Sequence, residues 1–250
     1  MKVLKWILIV LVALGLIGFI AYLVVDEDLP QGEKGEKAEQ LADKTLEAVN
    51  DSAWQEIAVV KWSLGGINNL VWDKERHWAK VSWDNYDVFI KLDSKTGVAY
   101  AKGKKVERDE VLNKLLNDAY EIWANDSFWL NPITKIRDAG TERRYVPQKE
   151  ENLEGLLITY KSGGVTPGDS YLWLIDKETG MPEFVKMWVQ IIPLGGVKFS
   201  WENWHTTSGG AKISQTHKSI FTINLSELKT WTSITAYPEK DEFKVLEGIN

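Results

Sequence analysis

IAVVKWSLGGINNLVWDKERHWAKVSWDNYDVFIKLDSKTGVAYA, residues 57–101, is a series of short apolar segments divided by turn residues. Residues 57–64 are rich in β-branched side chains and tryptophan, and Gly65-Gly66 ends them. Residues 70–73, 78–83, 88–93 and 98–101 follow at short intervals, and Lys102-Gly103-Lys104 marks the next turn. Short strands at this spacing predict an antiparallel meander.

A helix precedes the meander. Ala38, Leu41, Ala42, Thr45, Leu46 and Val49 recur at spacings of three and four, which gives a single apolar stripe ending near Asn50-Asp51. A second helix follows over residues 109–124, capped by Asp109. Its apolar face is Val111, Leu112, Leu115, Leu116, Ala119, Ile122 and Trp123, and Asn125-Asp126-Ser127 stops it. Phe128-Trp129-Leu130 then reads as extended chain. Strands return at residues 156–160, 170–176, 184–192, 196–205 and 212–224, parted by glycine-rich or polar turns. DSKTG at 93–97 and DKETG at 176–180 share one turn chemistry, with Asp capping and Gly at the positive-φ position.

The N-terminus has another character. Residues 6–25, WILIVLVALGLIGFIAYLVV, are twenty consecutive residues without a charge. At 1.5 Å each they reach about 30 Å, the thickness of a bilayer's hydrocarbon core. Lys2 and Lys5 precede them, and Asp26, Glu27 and Asp28 follow. The positive-inside rule then predicts a single-pass membrane protein with a cytoplasmic N-terminus and a periplasmic or extracellular domain. The competing reading is a cleaved signal peptide, but Ala21-Tyr22-Leu23-Val24-Val25 offers no small-x-small site. The expected division is therefore an anchor at 1–25, a charged linker at 26–37, a β-rich domain at 38–236 and a charged tail at 237–250.

The chain contains no cysteine, which excludes disulfides, thiolate metal sites, cysteine nucleophiles and lipidation at cysteine. Residues 26–250 hold 28 basic and 36 acidic residues, a net charge of −8, so nucleic acid is not an expected partner. No P-loop, dinucleotide fingerprint or G-x-S-x-G motif occurs. His77, His205 and His217 are the three histidines. His205 and His217 flank the Gly209-Gly210 turn and face each other if the hairpin centres near Ala211, yet no third ligand is placed, so no metal or cofactor is expected. Arg137, Arg143 and Arg144 read as a charged surface loop, or as a rim meeting a head group or an acidic partner.

Twelve of the thirteen tryptophans lie beyond the apolar run. Phe199 and Trp201 share one face of their strand. In 184–192, Phe184 and Trp188 take one face while Val185, Met187, Val189 and Ile191 take the other. A strand apolar on both faces needs cover on the second, from a helix, a partner or a ligand. Either the helices cover the rings as core, or a concave sheet face forms an aromatic groove for an apolar molecule.

The element order of helix, meander, helix and further strands, with Asp176-Lys177-Glu178-Thr179-Gly180-Met181-Pro182 after an apolar strand, resembles the lipoprotein-carrier family of periplasmic proteins, the LolA/LolB type. The segment from Asn125 to Leu130 is also similar to one in exported proteins of that shape. The resemblance implies an open β half-barrel whose helices plug an apolar cavity for acyl chains. The chain departs from the family in its retained anchor and its lack of cysteine, which fit a tethered holder better than a diffusing shuttle.

The expected fold is therefore α+β, an N-terminal transmembrane helix and then a curved antiparallel sheet covered by two helices. The expected function is a tethered extracytoplasmic domain that binds a lipid or acylated protein without catalysis. Trp62, Trp83, Trp173, Trp188 and Trp201 are the expected groove lining. The alternative is a cell-envelope interaction protein with a packed core and no ligand. A hydrolase, the third reading, needs carboxylates or histidines converging in a cleft.

Overall fold

Turn residues between the apolar runs fold the chain back on itself, so each strand pairs with its sequence neighbour. A computed structural model describes residues 26–162, 166–238 and 241–249. The meander comprises β1 (Val59–Leu64), β2 (Asn68–Asp73), β3 (Trp78–Trp83), β4 (Tyr86–Lys91), β5 (Thr96–Ala101) and the short β6 (Lys104–Lys105), all antiparallel. The helices are α1 (Glu36–Ala48), the short α2 (Asp51–Gln55) and α3 (Asp109–Leu130). The second half supplies β7 (Thr141–Pro147), β8 (Leu153–Tyr160), β9 (Ser170–Asp176), β10 (Pro182–Trp188), β11 (Val197–Ser200), β12 (Glu202–Thr206), β13 (Lys212–Lys218) and β14 (Thr222–Trp231). The anchor expected at 6–25 lies outside the described residues. Among those described, no helix is long and apolar enough to cross a membrane.

The strands form two sheets rather than one curved sheet. The larger runs β12-β13-β14-β1-β2-β3-β4-β5-β6, so the last strand pairs with the first of the meander; the smaller runs β11-β10-β9-β8-β7. The single strand expected at 196–205 breaks at Trp201. β11 pairs with β10, and β12 with β13. The Trp201 N–H still donates to the Glu183 carbonyl of β10 at 2.7 Å, while Glu202 already faces Thr216 of β13. Trp201 is therefore the residue at which the chain changes sheets.

Each sheet has its own helix and core. α3 lies on β3, β4 and β5 and closes a core that includes Trp62, Trp72, Val81, Ile90, Leu116 and Trp123. α1 lies on β7 and β8, and its Leu41 joins a core with Ile158, Trp173, Val185, Phe199 and Trp201. Burial of each such side chain contributes roughly 1.5–3 kcal/mol. α3 does not stop at Asn125-Asp126-Ser127. Asp126 is buried and accepts from Asn68 at 3.0 Å, and Ser127 donates to the Ala124 carbonyl. With its polar groups satisfied, the helix continues to Leu130 and carries Trp129 into the second core.

The second faces of both sheets are covered by the chain's own ends. Residues 26–33, read from sequence as solvated linker, are bound at both ends across the outer face of the smaller sheet. Glu27 reaches Lys186 of β10 at 2.6 Å and its carbonyl accepts from the Trp188 indole at 2.6 Å. Glu33 forms a two-way backbone bridge with Tyr145 of β7. The six residue steps from Glu27 to Glu33, at most about 20 Å when extended, are enough to cross the three strand spacings of about 4.8 Å that separate β10 from β7. The same face carries a buried cluster of Leu153, Leu157, Leu172 and Leu174, with Phe184 and Trp188 against them. At the other terminus, the charged tail forms a 3₁₀ turn, Glu242–Leu246. It seats Phe243 and Leu246, with Tyr237, on Val59, Val71 and Phe89 of the larger sheet. Arg76 fixes it by a paired bond to Asp241, 2.9 Å to each oxygen.

The candidate apolar seam between the sheets

Three elements converge where the chain changes sheets. Trp201 comes from the break, Trp129 from the last turn of α3, and His217 from β13. The Trp201 and His217 rings are 3.6 Å apart, centroid to centroid. Trp129 lies nearly parallel to Trp201 at 5.8 Å and edge-on to Phe199 at 5.0 Å. Trp173 of β9 stands edge-on to Trp201 at 5.0 Å. Edge-to-face and offset stacks at these separations are the favoured aromatic geometries.

His217 is fully buried, and its Nε2 is 3.1 Å from the Trp129 carbonyl while Nδ1 has no partner. Nε2 therefore carries the proton. Burial pushes the imidazole pKa down to about 4, against a smaller opposing effect of the Trp129 carbonyl, so the ring is neutral at pH 7. A neutral ring packed against two indoles suits an apolar surrounding and is not an anion site.

Partly exposed rings flank the seam at one end. Phe128 lies 4.7 Å from Tyr171, which meets Tyr160 at 5.7 Å. Burial raises both tyrosine hydroxyls above their ordinary pKa, so they stay protonated. Ile192 and Ile223 pack against the same core. Asp169, itself buried, ties the two flanking loops together: it accepts from Thr166 at 2.5 Å and from the Gln190 N–H at 3.0 Å.

The five tryptophans singled out from sequence fall in four places. Trp173 and Trp201 touch in the seam. Trp62 is buried in the core under α3, its indole N–H without an acceptor, as are those of Trp72 and Trp123. Trp83 is partly exposed at the end of β3, beside Tyr86 at 5.6 Å. Trp188 faces outward under the strap. Trp129, His217, Phe128 and Tyr171 complete the seam; α3 supplies Phe128 and Trp129, which strand parity could not find, whereas Tyr171 shares the face of Trp173 on β9.

The other candidates resolve differently. His205 pairs across its hairpin with Ile213, and His217 with Ile223 of the next strand, so the two histidines do not face each other. Arg137 binds Glu39 and Asp43 of α1 at 2.7 and 2.6 Å, and Arg143 binds Glu39 at 3.0 Å. These arginines hold α1 to the smaller sheet, and together they keep the Glu39 carboxyl below its usual range against the desolvation that opposes them. Among the described residues, no three His, Asp or Glu side chains are grouped to hold a metal ion. Two shallow clefts, of about 260 and 410 Å³, lie at His205–Thr207 with residues 228–231 and at Asp84–Tyr86 with Ala101–Lys102, away from the seam.

No family model matches the chain, and no curated protein matches it. Solved structures do. The chain is similar to LolA-superfamily proteins. One from Nitrosomonas europaea is 11% identical, with 80% of this chain and 98% of that one covered at a TM-score of 0.37. A domain from Vibrio parahaemolyticus, described as an outer membrane lipoprotein-sorting protein domain, is 11% identical over 81% and 97% of the two chains at 0.35. A DUF1329 family protein from Desulfovibrio piger is 12% identical over 78% and 94% at 0.39.

Proposed function

We propose that residues 26–250 are an extracytoplasmic domain, tethered through residues 6–25, that holds an apolar ligand such as an acyl lipid or acylated protein in the seam between its sheets. Binding then comes from burial of acyl surface, at about 25 cal/mol per Å², and no bond is made or broken. The observation that carries this reading is the run of aromatic rings from buried Trp173 and Trp201 to partly exposed Phe128 and Tyr171, all on one path. Trp173 and Trp201 line its floor. Trp62, Trp83 and Trp188 belong to the proposal only as neighbouring structure.

One observation favours the alternative of a cell-envelope interaction protein with a filled core. Trp173, Phe199, Trp201 and His217 are each no more than 3% exposed, so the floor of the seam is already closed. A ligand must part the rings near Phe128 and Tyr171.

Mass spectrometry of solvent extracts from purified residues 26–250 separates the two. Binding predicts an acyl lipid at about one per chain, lost in a Phe128→Asp, Tyr171→Asp variant whose circular dichroism is unchanged. No extracted lipid, with no change in tryptophan fluorescence on adding fatty acids, would sink the ligand reading in favour of the packed interaction domain.

A further inference from the structure

Four of the six large apolar side chains most exposed among the described residues lie at one end of the molecule. They are Ile67 at 71%, Ile191 at 75%, Phe221 at 56% and Ile220 at 98%. Ile67 follows Gly65, whose N–H donates to the Asn224 carbonyl of β14, beside the Ser219–Phe221 turn. Phe221 meets Phe199 of β11 at 5.5 Å, and β11 begins at the turn that carries Ile191. Three turns, at 65–67, 189–196 and 219–221, therefore carry bare isoleucine and phenylalanine side by side. Exposed apolar tips gathered on one end mark an interaction surface.

The chain itself indicates what meets this surface. Residue 26 follows directly on the uncharged run at 6–25, and the Asp26 carboxylate accepts from the Gly195 N–H at 2.7 Å. The Glu27 N–H donates to the Gly195 carbonyl at 3.2 Å. Gly195 and Gly196 allow this approach, since a Cβ at 195 would stand 2.3 Å from the Glu27 carbonyl. A chain leaving a bilayer at residue 25 therefore arrives bonded to the turn of Ile191, Ile192 and Leu194. No free linker remains to lift that turn away, so its local concentration at the lipid surface is set by a tether of a few residues.

We infer that this end of the domain sits on the bilayer that holds residues 6–25, with Ile191 and Ile220 entering the acyl layer. The inference rests on the membrane-tether reading above and deepens it: Tyr171, where the ligand of that reading would enter, pairs with Met187 just before the 189–196 turn and so lies at the end that meets the lipid.

The absence of cysteine makes the test direct. Single nitroxide labels are placed by Ile191→Cys, Ile220→Cys and, as a control in the exposed turn at the opposite end of the sheet, Ser94→Cys. The full chain is reconstituted in vesicles of phosphatidylethanolamine and phosphatidylglycerol, and label accessibility to oxygen and to a water-soluble nickel complex is read. Seating on lipid raises the oxygen-to-nickel ratio several-fold at 191 and 220 over that at 94. Equal ratios at all three sites, in a chain that floats with the vesicles and resists alkaline extraction, overturn the inference and leave the tether intact. Loss of access to both reagents at 191 and 220 overturns it in favour of a protein contact. A chain that does not float with the vesicles overturns the tether reading, and the inference with it.

Discussion

His217 shows how a single buried side chain couples this fold to pH. Its folded-state pKa of about 4 lies below the ordinary value of 6.5, so the unfolded chain binds the extra proton between those limits. Stability is therefore complete above pH 6.5 and is lost as pH falls toward 4. Chemical denaturation at pH 7.5 and pH 5 should differ by roughly 2 kcal/mol on this account. In a His217→Phe variant, which has nothing to titrate, most of that difference disappears. An unchanged pH response in the variant would mean that His217 is not the source. Gly195 offers a second residue-level test. A Gly195→Val side chain meets the Glu27 carbonyl and the Trp188 indole. The expected result is loss of hydrogen-exchange protection at the Glu27 amide, with little effect on α3.

Among elements, the strap and the tail are the least expected. The apolar alternation read over residues 184–192 holds only as far as Trp188, where β10 ends; there both faces are covered, whereas Ile191 lies bare in the turn beyond. Composition could not name the cover, because DEDLPQGEK has too few apolar residues to look like a packing segment. It is held by backbone bonds and by Glu27, not by burial of its own side chains. β7 was likewise illegible as a strand: TERRYVP shows no alternation of apolar residues, and its inward Arg143 is satisfied by Glu39 rather than by core. The two D-x-x-T-G turns look alike in sequence yet differ. Gly180 has φ near +73°, as Asp176 capping requires, whereas at the first copy Lys95 takes the positive φ. Gly97 is needed there for space, since a Cβ would lie 2.0 Å from the Phe89 carbonyl. For the tail, Phe243→Ala removes a fully buried ring that touches Phe89, and should cost about 3–5 kcal/mol in urea unfolding. A loss below about 0.5 kcal/mol would mean that the tail is not seated.

For the molecule as a whole, the α+β class, the antiparallel order and the covering helices follow from periodicity, which reports local geometry. The split into two sheets does not, since it turns on where one strand bends. At Trp201 both flanking stretches look equally strand-like, and only their partners differ. The candidate site was half legible for the same reason. Strand parity brings Phe199 and Trp201 together, but contact with Trp129 and His217 requires knowing that α3 ends between the sheets. Two separate cores predict near-additive effects. Leu116→Ala on the inner face of α3 and Ile158→Ala under α1 should each destabilise by about 2–5 kcal/mol and sum within about 0.5 kcal/mol in the double variant. A larger discrepancy would indicate that the sheets share one core.

The pairing of β1 with β14 joins Val59 to Trp231, about 170 residues apart. At synthesis rates of roughly 5–20 residues per second, the ribosome needs roughly 10–30 s between delivering the two strands. Through that interval β1 presents one bare edge, Val59 to Leu64, to any nascent chain or chaperone nearby. The meander and α3 have time to form first, and the domain is closed last by a late-arriving strand. Stalling translation before residue 222 should therefore leave a protease-resistant meander with an open, aggregation-prone edge.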